Sequence, residues 1–250
     1  MIGKEEIYRY DKVKKEYILF KEIEKPVENN SHKGLIDMVF IESSIFGTKG
    51  KVVSADNYYI GKYEVTQSQY KSVMNFNPSQ FRGDDLPVES VTLNDAIEFC
   101  NKLSEMEGLK KCYNRSECDL SANGYRLPTQ DEWSGAVLGG GNKYSGSNDI
   151  NEVAWYNKNS IRKTHSVGQK KPNEKGIYDM TGNVWEMCWD IWDDGDNSRK
   201  SRRNKKINRL MCGGGYSDGA SNCRIGISSG FSSENKKKDI GFRVVRTADK

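Results

Sequence analysis

Six cysteines and two histidines are the side chains of this 250-residue chain best suited to nucleophilic or metal chemistry. The cysteines are Cys100, Cys112, Cys118, Cys188, Cys212 and Cys223. They form no CxxC pair, so a structural zinc site is not expected. Spacing selects no disulfide pairing among the many that six thiols allow. Buried free thiols and disulfides both stand, and an exported context would favour bridges. Asp149 and Glu152, with His165 nearby, have the residue types of acid–base chemistry. No nucleophile stands at a diagnostic spacing from them, and His165 reads as structural. Arg199 to Arg209 holds seven cations, the charge of a nucleic-acid patch. No aromatic residues interleave it for stacking, so it reads as a solvated loop balanced by Asp190, Asp193, Asp194 and Asp196.

A second signal is compositional. From Cys212 to Ser233 the chain has no Lys, Glu, Gln, Met or Trp, although these types supply 62 of the 250 residues. Ser, Gly, Cys, Ile, Phe, Asp, Asn and Tyr fill the stretch. Strongly patterned sequence brackets it, Gly182-Asn183-Val184-Trp185-Glu186 before and Gly241-Phe242-Arg243-Val244-Val245-Arg246 after. Such an island inside a well-specified fold marks a surface chosen for something other than folding.

The elements that must position these residues are legible in outline. The chain is 35% hydrophobic and 10% aromatic with mean hydropathy −0.81, enough for one substantial core and too aromatic for disorder. A net charge of +4 does not make the whole chain an electrostatic nucleic-acid binder. No apolar run is long enough to span a bilayer. The N-terminus is charged from Lys4 onward and lacks an apolar signal core, which fits a cytosolic protein or one whose targeting segment has been removed. Residues 1–34 read as a charged arm without periodicity, closed by Pro26, Asn29, Asn30 and Gly34 as a linker. Residues 35–250 read as one domain. Met38 to Ile41 and Val52 to Ile60 look like strands. Three helices carry capping boxes: Thr66 with Gln69, Thr92 with Asp95, and Thr129 with Glu132. Ala96, Phe99, Cys100 and Leu103 form the apolar stripe of the second, which Gly108 stops. Beyond Gly139 turns and short strands dominate. The class is α+β with long loops and few helices.

The motifs come in a definite order. They are Tyr59-Ile60-Gly61-Lys62-Tyr63-Glu64-Val65-Thr66-Gln67, Asn77-Pro78-Ser79, Pro87-Val88, Phe99-Cys100-Asn101 and Gly124-Tyr125-Arg126-Leu127-Pro128-Thr129, followed by Glu132-Trp133, Gly176-Ile177-Tyr178-Asp179-Met180-Thr181-Gly182-Asn183-Val184-Trp185-Glu186 and Gly241-Phe242-Arg243. The ordered set, from about Leu35 to Arg246, resembles the formylglycine-generating enzyme (sulfatase-modifying factor) family. That resemblance implies a C-type-lectin-like fold.

The same resemblance implies two copper(I)-binding cysteines, since soft thiolates suit that metal. Aligned on Gly213-Gly214-Gly215-Tyr216, the second falls on Cys223 and the first on Asp218. A lone thiolate does not make the two-coordinate site, so neither copper nor catalysis is expected. The resemblance also implies a calcium site at Asp179, Gly182, Val184 and Glu186, two carboxylates and two carbonyls around a hard cation. Asp179 capping a turn and Glu186 in a buried pair is the alternative. Within the superfamily the chain resembles the variable proteins of diversity-generating retroelements, whose recoded positions exclude the five residue types missing here. By that resemblance, about 209–246 is a variable region. Ser217, Asp218, Gly219, Ser221, Gly226, Ile227, Ser228, Ser229, Phe231 and Ser232 would contact the ligand, with Ile227 and Phe231 as exposed apolar anchors. Ala220, Cys223 and Arg224 would point inward. The ligand would be a variable protein or other surface molecule, not nucleic acid. The protein would be a lipoprotein of the outer membrane, at the cell surface, touching membrane only through a lipid anchor that this sequence lacks.

Overall fold

The computed structural model describes residues 4–11, 16–24, 34–42, 46–48, 51–53, 56–114, 117–137, 140–192 and 208–248. The basic run from Arg199 lies outside them as far as Ile207, as do Asp193, Asp194 and Asp196. The chain divides into two compact units, Met1–Gly34 and Leu35–Lys250. In the first, β1 (Lys4–Asp11) pairs antiparallel with β2 (Glu16–Glu24), Lys4 facing Glu24, with a register shift between Ile7 and Tyr8. Backbone pairing thus organises a stretch whose composition shows no period.

The second unit begins with β3 (Met38–Ile41), β4 (Phe46–Thr48), β5 (Lys51–Val53) and β6 (Tyr58–Gly61). The single strand expected from Val52 to Ile60 is therefore two. Asp56 and Asn57, which favour turns over ladders, fall between them. Helices α1 (Gln67–Met74) and α2 (Leu93–Met106) start where their capping boxes predict. Thr92 N donates to Asp95 Oδ2 at 2.9 Å and Asp95 N returns a bond to Thr92 Oγ1 at 3.1 Å, satisfying two donors the helix cannot. Then come β7 (Tyr113–Asn114), β8 (Glu117–Cys118), β9 (Tyr125–Arg126), α3 (Gln130–Val137) and α4 (Ile150–Val153). Thr129 and Glu132 reciprocate in the same way at α3.

The last third supplies β10 (Trp185–Ile191), β11 (Asn208–Cys212), β12 (Ser228–Ser232), β13 (Ile240–Gly241) and β14 (Val245–Thr247). Two four-stranded sheets result, ordered β3-β6-β14-β9 and β12-β11-β10-β13. In the second, β13 runs parallel to β10. Apolar residues of α1 and α2 meet the chain end in the main core: Tyr70 stacks on Phe99 at 5.5 Å and Phe242 packs edge-on at 5.4 Å. Each such burial is worth about 1.5–3 kcal/mol. Gly241 makes the approach possible, because a Cβ there would lie 2.4 Å from Val88 O.

Candidate ligand-binding face

Strand β10 is the floor of the site, and buried charge holds it. Arg243 is fully buried. Its Nε and Nη2 donate to Glu186 Oε2 and Oε1 at 2.7 and 2.6 Å, and Nη1 and Nη2 donate to Gly61 O and Tyr178 O. Trp133 Nε1 adds a third donor to Glu186. Glu64, also buried, accepts from Asn183 Nδ2 at 2.6 Å and Val184 N at 3.1 Å. Burial, then the negative charges of Asp179 and Glu186, push Glu64 well above the usual carboxylate range, against the pull of Arg243. Burial also raises Asp179 to about 6. Asp179 Oδ2 accepts from Gly168 N at 2.7 Å, while Oδ1 has no partner. Gly182, at φ +83°, lies where a Cβ would meet Trp155 O at 2.3 Å.

These residues do not fit the calcium site expected at Asp179, Gly182, Val184 and Glu186. A bidentate guanidinium and an indole already occupy both oxygens of Glu186, and a dication would sit against Arg243. Among the described residues no three His, Cys, Asp or Glu side chains are grouped to hold a metal. Glu186 makes the buried pair instead.

Nor do thiols line the clefts. All six cysteines are free. Cys223 is buried, and burial pushes its thiol up to about 12. Asp218 holds the partner position and is engaged by three donors: Trp185 Nε1 at 2.7 Å, Gly215 N at 3.0 Å and Asn222 Nδ2 at 3.1 Å. This donor set does not fit a two-thiolate copper site. Cys188 and Cys212 share a core cluster, and burial pushes the Cys188 thiol well up. Asp149, Glu152 and His165 form no acid–base group. Asp149 caps α4, Glu152 accepts from Ser147 and pairs with Lys171, and His165 stacks on Trp155 with its Nε2 at 2.8 Å from Ser160 O.

The compositional island splits into inward and outward residues. Five of its ten singled-out positions line two adjoining clefts. Ser217 opens on the larger, of about 760 Å³, with Gln80, Asn157, Arg162 and Tyr216. Asp218, Ile227, Ser228 and Ser229 line the smaller, of about 330 Å³, over Trp185 and Met211. Lys237 and Asp239 border both. Ser221 and Gly226 are exposed and Gly219 half-buried in the connecting turns. Phe231 corrects the expectation of an exposed anchor: it is 3% exposed and belongs to the main core. It stands in β12 opposite Arg209 and packs into the core, whereas Ser229, two residues earlier on the same face and opposite Met211, lies at the cleft. Ser232 is half-buried and lines neither cleft. Cys223 points inward and Ala220 packs against its cluster, but Arg224 is exposed.

Sequence reasoning missed Arg162, Lys236, Lys237 and Lys238 on the cleft walls. The lysine run after the island carries a charge signal. Arg162 carries none, because only the fold brings it there.

Residues 31–248 match the sulfatase-modifying factor enzyme 1-like domain model. The chain belongs to that family. Its fold is the family's α+β, C-type-lectin-like one. Family member or relative, chaperone protein LppX of Paenibacillus barcinonensis is 39% identical, the match covering 84% of this chain and 89% of that one. Among solved structures, Treponema denticola variable protein 1 superposes with a TM-score of 0.74 at 32% identity, covering 84% of this chain and 95% of that one. Mouse formylglycine-generating enzyme is 26% identical over 63% of this chain and 43% of the enzyme. The sulfatase-modifying factor fold thus frames the two clefts beside Ser217 and Asp218.

Proposed function

We propose that this member of the family is a non-catalytic binding protein whose ligand is read by the clefts over Trp185. The observation that carries the reading is the split within the island. Ser217, Asp218, Ile227, Ser228 and Ser229 line the openings while Phe231 and Cys223 anchor the backbone beneath. A rigid support with changeable short side chains suits recognition. The likeness to a protein titled a variable protein supports diversification of this segment by a retroelement. Display at the cell surface through a lipid anchor belongs to the same proposal. The chaperone name of LppX supports a polypeptide as the ligand.

Randomising Ser217, Ser221, Ile227, Ser228 and Ser229 together in a displayed library tests the reading. Most members should stay protease-resistant, and binders to an arbitrary protein target should emerge. A library that unfolds, or stays folded and yields no binder, rejects it. Incubation with copper(I) and a cysteine peptide from a sulfatase motif should leave the peptide mass unchanged. Formylglycine formation above the protein-free control would restore the oxidoreductase reading.

A further inference from the structure

We propose that the larger cleft binds the acidic side chains of an extended peptide segment that runs on along the smaller cleft. The inference rests on the reading that this face binds a ligand, and it names that ligand's chemistry.

Charge is the first ground. Arg162, Lys236, Lys237 and Lys238 line the larger cleft, with Asp239 as its acidic member. Lys236 is partly neutralised by Asp95, 3.0 Å away. Arg162, Lys237 and Lys238 form no ion pair among the described residues. Like charges gathered on a concave wall repel one another and focus a positive potential into it. An anionic ligand relieves that repulsion.

Backbone geometry is the second. Arg162 sits at φ 57° and Ile161 at φ 53°. Two successive non-glycine residues in the left-handed region are uncommon, and a β-branched one is a genuine outlier. Packing of Ile161 does not explain it, because that side chain is 81% exposed. The turn is nonetheless pinned. Ser160 Oγ donates to Tyr216 O at 2.8 Å, Arg162 N donates to Ser160 Oγ at 3.3 Å, and Asn157 N donates to Asp218 O at 3.0 Å. These bonds tie the turn to the island's own backbone. Strain held in this way at a cleft edge is the kind found at ligand clamps.

The shape selects among anions. A single phosphate would leave most of about 760 Å³ empty. Three of the four cations are lysines, which act as point charges rather than as a bidentate fork. Stacking of nucleic-acid bases needs open aromatic faces. Tyr216, the aromatic of this wall, is buried and packed edge-to-face against Phe81 at 5.5 Å. The shared wall at Lys237 and Asp239 joins the basic cleft to a mainly polar one, where Asp218, Asn222, Ser228 and Ser229 stand beside Ile227. A basic cleft that continues into a polar one fits an extended chain whose carboxylates enter the first and whose backbone groups meet the amides and hydroxyls of the second. The Gln80 and Asn157 amides of the larger cleft suit its backbone.

A random short-peptide phage library panned on the whole chain tests this. Enriched peptides should be rich in Asp or Glu. A labelled consensus peptide should bind in a salt-sensitive way, and its Asn/Gln counterpart should bind about tenfold more weakly. The triple variant Arg162→Gln, Lys237→Gln, Lys238→Gln should lose about tenfold in affinity with an unchanged melting temperature. Three results overturn the proposal: enriched peptides without excess acid, a triple variant that binds as the parent does, or inorganic phosphate competing as well as the peptide. No peptide enrichment, while the randomised face still yields protein binders, overturns the ligand chemistry and leaves the binding face standing. Failure of both removes both.

Discussion

Glu186 and Asp218 are carboxylates on either side of Trp185. Glu186, its neighbour in β10, is fully buried and receives three donors, two of them from buried Arg243. Asp218 is half-buried, receives the Trp185 indole and two others, and borders a cleft. The first carboxylate joins β10 to the chain end and has no face toward solvent. The second ties the floor of the site to its wall. Polar groups below β10 are committed to each other, whereas the hydroxyls around Ser217 and Ser229 stand at openings. Change is therefore costly on one side of the strand and cheap on the other.

Substitutions on both sides of β10 test that contrast. Glu186→Ala strands Arg243 in the core and should cost about 3–5 kcal/mol in urea unfolding. A cost near that of a surface change would dissolve the distinction. Phe231→Ala, although inside the compositional island, should cost about 3 kcal/mol or more, because it empties a core position. A neutral result would return Phe231 to the ligand face.

The pH response comes next. Burial raises Asp179 from 3.8 to about 6. A carboxyl raised on folding contributes stability that is complete below its unfolded pKa and lost as pH rises through its folded value. Relative to Asp179→Asn, the parent should therefore lose stability from about pH 4 to pH 6, by at most about 1.4 kcal/mol per unit. Parallel unfolding curves for the two proteins would show that Asp179 keeps its charge throughout.

Asp218→Ala should cost about 1–3 kcal/mol, for it leaves the Trp185 indole and a backbone N–H without their acceptor. Trp185 emission should shift with it. Unchanged stability and emission would place Asp218 among the freely variable positions. Ile227→Ser, 39% exposed, should stay within about 0.5 kcal/mol, and a larger loss would mean that the rim is part of the core.

Local chemistry explains what the sequence revealed. The boxes at Thr66, Thr92 and Thr129 are bonds between residues three apart, so they are written in adjacent letters. The stripe from Ala96 to Leu103 follows from helical period alone. The ordered motifs carried the family and its fold because the glycines at 182 and 241 stand where backbones nearly touch. What stayed hidden depends on distant partners. Composition marked the island but not how far along β12 the core reaches, so Phe231 was misplaced. Arg224 was read as scaffold from its place beside Cys223, yet neighbours in a turn need not share a direction. Glu186 was open to two readings until Arg243, 57 positions away, was placed beside it.

The strand that closes the chain is not an edge. β14 lies between β6 and β9, Val245 facing both Ile60 and Arg126. Phe242 and Arg243, just before it, complete the aromatic core and the charge node. All of them follow the compositional island in translation order. A frameshift or stop codon anywhere in 217–232 therefore deletes an inner strand of one sheet and the counter-ion of Glu186 together. Such a chain loses two anchors of its core at once and should be cleared by proteolysis. The stretch most open to change is thus proofread by the dozen or so residues that follow it.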